Sequence, residues 1–173
     1  MKIIPYFLDG KYEKKLFSER SCNVDTIVIH AMSAVNVYPR NPFSIKKCIE
    51  IFIDYNVSSH YIIDRKGKIY YLVPEEKKAW HAGISRMPFP DNRESVNDFS
   101  IGIELIGNDI VPFENEQYFS LNFLLGDIKK RYDIKYLLGH QDIASQKLVD
   151  EGLRKDTKWD PGKMFDWDRV NNK

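Results

Sequence analysis

Cysteine is scarce in this chain. Its 173 residues include only Cys22 and Cys48, too few for a disulfide framework and not spaced as a Cys-x-x-Cys redox pair. Both are expected to be reduced structural residues. Charge of one sign is also lacking. Lys and Arg number 26 against 25 Asp and Glu, a net charge of +1, which gives no electrostatic reason to expect nucleic acid or an anionic membrane as partner. Long hydrophobic runs are missing as well. No segment approaches the ~18 apolar residues of a membrane span, so membrane insertion is not expected. The opening stretch Met1-Lys2-Ile3-Ile4-Pro5-Tyr6-Phe7-Leu8-Asp9 has one basic residue, an early proline and no small-residue cleavage site. It does not read as a secretory signal. The expected location is therefore the cytoplasm, with export by a signal-independent route as the other option. Repeats, low-complexity tracts and linkers are also absent.

What remains suits one domain with a sizeable core. Ten tyrosines suit either core packing or a groove for a polar, sugar-like ligand. Residues 1–24 are mixed in character and read as an N-terminal arm lying on a domain of residues 25–173. Thr26 to Ala31 is short, β-branched and apolar, the pattern of a buried strand. Ser44 is an N-cap candidate, and Ile45, Cys48, Ile49 and Phe52 follow at helical spacing. His60 to Asp64 and Lys68 to Val73 read as a hairpin around Arg65-Lys66-Gly67, where the glycine supplies a positive φ. Residues 84–98 read as a surface loop, Ser100 to Ile106 as a strand and Gln117 to Tyr132 as an amphipathic helix. Lys135 to Leu138 reads as a last short strand. Residues 141–164 look irregular with a helical turn, and Phe165 to Val170 closes as a short helix. Strands and helices in this alternation predict an α/β fold, a single-domain mixed β-sheet flanked by α-helices.

Two histidines stand at strand ends. His30 closes the run Thr26-Ile27-Val28-Ile29, and His140 closes Tyr136-Leu137-Leu138-Gly139. Asp160 follows in the turn-like string Lys158-Trp159-Asp160-Pro161-Gly162. Two neutral imidazoles and one carboxylate leave a fourth tetrahedral position on zinc open for water. Spacing alone leaves a hydrogen-bonded structural histidine open at either position. Glu104 is anomalous: a carboxylate in mid-strand costs several kcal/mol unless it is paired or faces a wet cleft. It reads either as part of an exposed sheet face or a structural ion pair, or as a general base next to a metal-bound water, with Gly102 leaving room for a ligand to approach. Lys158, two residues before Asp160 in an extended segment, faces the same way and suits an oxyanion stabiliser. His60 reads as a supporting or packing residue, and His81 is an alternative third ligand.

These segments together resemble the zinc-dependent N-acetylmuramoyl-L-alanine amidases, the broad family of phage lysozyme-type amidases, AmpD-like recycling enzymes and peptidoglycan recognition proteins. The strings that carry the resemblance begin with Thr26-Ile27-Val28-Ile29-His30 and Val57-Ser58-Ser59-His60-Tyr61-Ile62-Ile63-Asp64. Ala79-Trp80-His81-Ala82-Gly83 and Asn97-Asp98-Phe99-Ser100-Ile101-Gly102-Ile103-Glu104-Leu105 follow. Gly139-His140-Gln141-Asp142-Ile143-Ala144 and Asp160-Pro161-Gly162 complete the order, with Phe165-Asp166-Trp167 behind them. The resemblance runs from about residue 25 to 167. It implies zinc held by His30, His140 and Asp160, Glu104 as the base that activates water, and Lys158 as stabiliser of the tetrahedral intermediate. The bond cut would join N-acetylmuramic acid to L-alanine, and the partner would be peptidoglycan or a muropeptide. A non-catalytic peptidoglycan-binding module of the same fold is the alternative.

Two departures accompany the resemblance. The stretch between His140 and Asp160 is longer than in compact relatives, and the extra segment, Ser145 to Lys155, brings Asp150 near, with Asp156 just beyond it, as rival ligands. It is expected to wall the cleft, with Leu148, Val149 and Leu153 tucked beneath. Ser59 stands where some relatives carry a catalytic tyrosine, which puts more weight on Glu104.

Overall fold

The structure is a computed structural model that describes residues 2–8 and 16–170. In chain order its elements are β1 Ile3–Pro5, β2 Phe17–Glu19, β3 Thr26–Met32, α1 Ile45–Tyr55, β4 Tyr61–Ile63, β5 Ile69–Tyr71 and β6 Lys77–Ala79, then β7 Ser100–Ile106, α2 Asn115–Ile128, β8 Tyr136–Gly139, α3 His140–Ile143 and α4 Gln146–Asp150. Short 3-10 turns lie at Val96–Asp98 and Trp167–Arg169. Six strands form one sheet in the order β1-β5-β4-β7-β3-β8. The pairs β1–β5, β4–β7, β7–β3 and β3–β8 are parallel, while β4–β5 is antiparallel. The single-domain mixed sheet flanked by helices is thus the fold observed.

Period-2 alternation divides the sheet. Ile27 and Ile29 on β3, and Ile101, Ile103 and Leu105 on β7, pack against Leu121, Leu124, Leu125 and Ile128 of α2. The opposite face sends Ile62 and Ile106 against Cys48, Ile49 and Phe52 of α1. A fully buried side chain of this size contributes about 1.5–3 kcal/mol, so the two helices are held by their apolar stripes. Ser44 caps α1 by accepting the Lys47 N–H at 3.4 Å. Gln117, fully buried, accepts the Glu114 N–H at 3.1 Å and donates to the Ile106 carbonyl at 3.0 Å, which ties α2 to the end of β7. The hairpin turn has Gly67 at φ 72°, where a side chain would also strike the Glu116 carbonyl.

Several boundaries differ from the sequence reading. α2 begins two residues earlier than expected and gives way to turns after Ile128. The loop of residues 84–98 is more than surface: Ser85, Met87 and Val96 are buried anchors, and Arg86 bridges to Glu94. Where residues 141–164 looked irregular, two short helices form. The N-terminal segment supplies β1 at the sheet edge and β2, which pairs with β6, and it buries Leu8 and Leu16. Its residues 9–15 lie outside the described ones. Cys22 is exposed, Cys48 is buried, and neither is in a disulfide. Among the described residues no helix is long and apolar enough to cross a membrane.

Candidate metal centre and cleft

Register places the chemistry. On β3 and β7, His30 stands directly beside Glu104. On the other side of β3, Ile29 pairs with Gly139, so His140, the next residue along, lies beside His30. Three parallel strands therefore bring Glu104, His30 and His140 into a row at their carboxyl ends. Asp160 arrives from the later loop, whose backbone is pinned when the Gln141 N–H donates to the Asp160 carbonyl at 2.9 Å.

The donor atoms converge. Nδ1 of His30 lies 3.1 Å from Nδ1 of His140 and 3.1 Å from Oδ2 of Asp160. Nδ1 of His140 lies 3.2 Å from the same Oδ2. All three residues are buried, and among the described residues they are the only His, Cys, Asp or Glu group so arranged. On its far side, Nε2 of His140 is 3.2 Å from the Ala82 carbonyl. A carbonyl only accepts, so that nitrogen carries the proton and Nδ1 turns a lone pair toward the triangle. Ligands about 2.0–2.2 Å from a tetrahedral zinc lie roughly 3.4 Å apart. The observed triangle is within a few tenths of an ångström of that, and the residues fit the ion.

The rival ligands are elsewhere. Asp150 is exposed and accepts from Gln146 at 2.8 Å, and Asp156 is exposed. His81 is not a third ligand: its Nδ1 is 2.9 Å from Nε2 of His30, on the side of that ring away from the triangle. Gly102 does not leave room for a ligand either. A Cβ there would meet Cγ of the His81 ring at 2.5 Å, so the missing side chain makes room for an imidazole of the protein itself.

Glu104 is buried, and its Oε2 meets no hydrogen-bond partner among the described residues. The ion-pair reading therefore does not account for that oxygen. Burial pushes its pKa well above the ordinary carboxyl value, the Asp160 charge adds to the shift, and Lys158 opposes it. Burial likewise lowers the pKa of His30 to about 4, with His140 pushing the same way. His30 is a neutral imidazole at pH 7, the form that ligates metal.

A cavity of about 340 Å³ contains Glu104, His30 and Asp160. It shares Val57, Trp80, His81, His140 and Lys158 with a wider cleft of about 820 Å³. Lys158 thus borders both spaces, as does His140. The extra segment walls the wider cleft through Gly152, Leu153, Arg154 and Lys155. Only part of its apolar trio tucks away: Leu148 is buried in α4, while Leu153 is 43% exposed beside exposed Ile84. Arg154, unremarked in the sequence, crosses the cleft to donate to the Ile84 carbonyl. Ser59 is fully buried and borders neither cavity.

The family model described as N-acetylmuramoyl-L-alanine amidase matches residues 20–163. The chain belongs to the N-acetylmuramoyl-L-alanine amidase family. Within this family it is 41% identical over 116 residues to the 1,6-anhydro-N-acetylmuramyl-L-alanine amidase AmpD of Haemophilus influenzae, a match covering 65% of this chain and 56% of AmpD. With AmiD of Escherichia coli K12 it shares 38% identity over 135 residues, covering 68% of this chain and 44% of AmiD. The chain spans about half the length of the curated relatives it matches. A crystal structure of a selenomethionine AmpD derivative superimposes with a TM-score of 0.72 at 30% identity, covering 97% of this chain and 90% of that one. E. coli AmiD, solved with anhydro-N-acetylmuramic acid-L-Ala-D-γ-Glu-L-Lys, superimposes with a TM-score of 0.67 at 31% identity, covering 94% and 60%.

Proposed function

We propose that this amidase-family chain holds one zinc ion at His30, His140 and Asp160 and hydrolyses the amide between N-acetylmuramic acid and L-alanine in peptidoglycan or its muropeptide fragments. The observation that carries the reading is the donor triangle, 3.1–3.2 Å on a side, beside a buried carboxylate oxygen that has no partner among the described residues. Zinc bound there supplies a lowered water pKa and polarisation of the substrate carbonyl. Glu104 takes a proton from the attacking water at its buried carboxyl and passes it to the leaving amine. Lys158, at the mouth between the two cavities, opposes the charge that develops on the carbonyl oxygen. The wider cleft, with apolar Ile84 and Leu153 beside cationic Arg154 and Lys155, suits a substrate with both sugar or methyl surface and carboxylates. The names of AmpD and AmiD support that substrate class, as does the muropeptide bound in the AmiD structure.

Two measurements test it. Metal analysis should find one zinc per chain, lost or greatly reduced in His140→Ala. Mass spectrometry of a digested anhydro-muropeptide should find the free stem peptide and the free sugar acid. A chain that binds muropeptide without cleaving it, with zinc present, would return the protein to the class of non-catalytic binding modules. Full zinc occupancy in His140→Ala would overturn the ligand set.

A further inference from the structure

All four histidines of the chain are buried, and the reaction above uses two. Among the described residues His81 makes no hydrogen bond to the three donor atoms of the triangle or to Glu104, yet it fills the hollow that Gly102 leaves. Its surroundings fix where its proton sits. Ser100 Oγ lies 2.6 Å from the Val96 carbonyl. Two oxygens that close share a proton, and a carbonyl has none to give, so the hydroxyl donates to Val96. Ser100 Oγ then faces Nε2 of His81 at 3.2 Å with only lone pairs left, so Nε2 of His81 carries a proton and Nδ1 does not. That bare Nδ1 is 2.9 Å from Nε2 of His30, which must therefore be the donor. The remaining nitrogen of His30, Nδ1, is left with its lone pair directed into the triangle.

We propose that His81 is a positioning residue: it holds His30 in the one tautomer able to ligate metal, with the proton direction set by Ser100 and the Val96 carbonyl. This rests on the zinc reading of the triangle. Metal-ligating histidines commonly give their other N–H to an acceptor that fixes ring and tautomer. Here the acceptor is a neutral imidazole, so the centre gains orientation without a second carboxylate's charge. His60 holds the far wall. Its Nδ1 accepts the Gly102 N–H at 3.0 Å, its Nε2 donates to the Lys77 carbonyl at 3.1 Å, and its ring lies 5.7 Å from that of His81. Gly102 is thus pinned by one histidine and kept bare for another.

The test compares wild type, His81→Gln, His81→Phe and Ser100→Ala. Zinc affinity is read by competition with a chelator, and histidine tautomers by long-range ¹⁵N NMR on the zinc-free protein. Zinc-free wild type should show His30 with its proton on Nε2. His81→Phe should lose roughly 10–100-fold in zinc affinity. His81→Gln, whose amide can accept from His30 and donate toward Ser100, should recover most of that loss. Ser100→Ala leaves the His81 ring packed but removes the acceptor that orders it, so a population of His30 with the proton on Nδ1 should appear. Should His81→Phe fail to fold, this variant still decides. The proposal is overturned if wild-type His30 carries its proton on Nδ1, if Ser100→Ala leaves the tautomer unchanged, or if Gln restores no more affinity than Phe. A wild type that takes up no zinc would instead sink the zinc reading, while the NMR assignment would still judge the relay.

Discussion

The two faces of β7 show how one strand serves two ends. Toward α2 it sends Ile101, Ile103 and Leu105, all fully buried in an apolar layer. Toward α1 it sends Gly102, Glu104 and Ile106, and only the last joins an apolar cluster. α2 runs for 14 residues and closes its face. α1 runs for 11, and of its residues Phe52 lines the cavity around Glu104. The space it leaves is filled by imidazoles and a carboxyl group whose hydrogen bonds are specific and incomplete. Stability is concentrated on the face that is apolar throughout. Chemistry is possible on the face where the burial of polar groups is not fully compensated.

The comparison is broken most severely at Glu104. Glu104→Gln keeps the volume but removes the base, and turnover of a muropeptide should fall by about 10²–10⁴ while zinc content and the melting temperature hold. A near-normal rate would make the residue structural. The matching cut on the other face is Leu124→Ala. Leu124 is fully buried against the sheet, and chemical denaturation should show a loss of about 2–5 kcal/mol, with zinc affinity little changed in the folded fraction. A large loss of zinc affinity there would mean that the faces are not independent.

Acid sharpens the contrast in the metal-free protein. Burial lowers the pKa of His30 to about 4 and of His60 to about 3, and it holds that of His81 well below the ordinary value. Between about pH 6.5 and 4.5 the unfolded chain takes up these protons and the folded chain does not, so stability falls as pH falls. Glu104, its pKa raised, works the other way in the same window, because the folded state keeps its proton while the unfolded state releases it. Three imidazoles against one carboxyl leave a net decline on acidification, on the order of 1 kcal/mol or more per pH unit. Denaturation midpoints that rise from pH 6.5 to 4.5 would contradict it. The smallest effect is expected at the cleft wall. Shortening residues 145–155 while keeping Lys158 to Gly162 should leave zinc bound and change, by a few-fold, the preference between intact wall and soluble fragments. Unchanged preference would make the wall a surface elaboration.

Much of the fold was legible because its signals are local. Alternation on Ser100 to Ile106 marked β7 without error, Ser44 marked the start of α1, and Gly67 marked the hairpin turn. Helix ends were less legible: α2 starts at Asn115, where the Glu114 N–H donates to the Gln117 side chain at 3.1 Å and Gln117 also reaches the Ile106 carbonyl. The two short helices from His140 onward were legible only as one helical turn in an irregular stretch, because four- and five-residue elements leave no periodicity to read.

At the centre, the sequence by itself determined which chemical groups are available: imidazoles at two strand ends, a carboxyl in mid-strand, an aspartate before a turn, and the order of strings shared with a family. Tertiary structure alone decided which nitrogen of each imidazole faces which partner. His30 and His140 are separated by 110 residues and His30 and Asp160 by 130; the parallel register of β3 and β8 brings the first pair together, and a loop pinned by the Gln141 N–H brings Asp160 to them. It also decided that the bare hollow of Gly102 belongs to His81, that Leu153 faces the cleft while Leu148 is buried, and that Oε2 of Glu104 lacks a partner among the described residues. Each depends on what lies across a strand or loop from a residue, and the identity of that neighbour is a property of packing rather than of chain order.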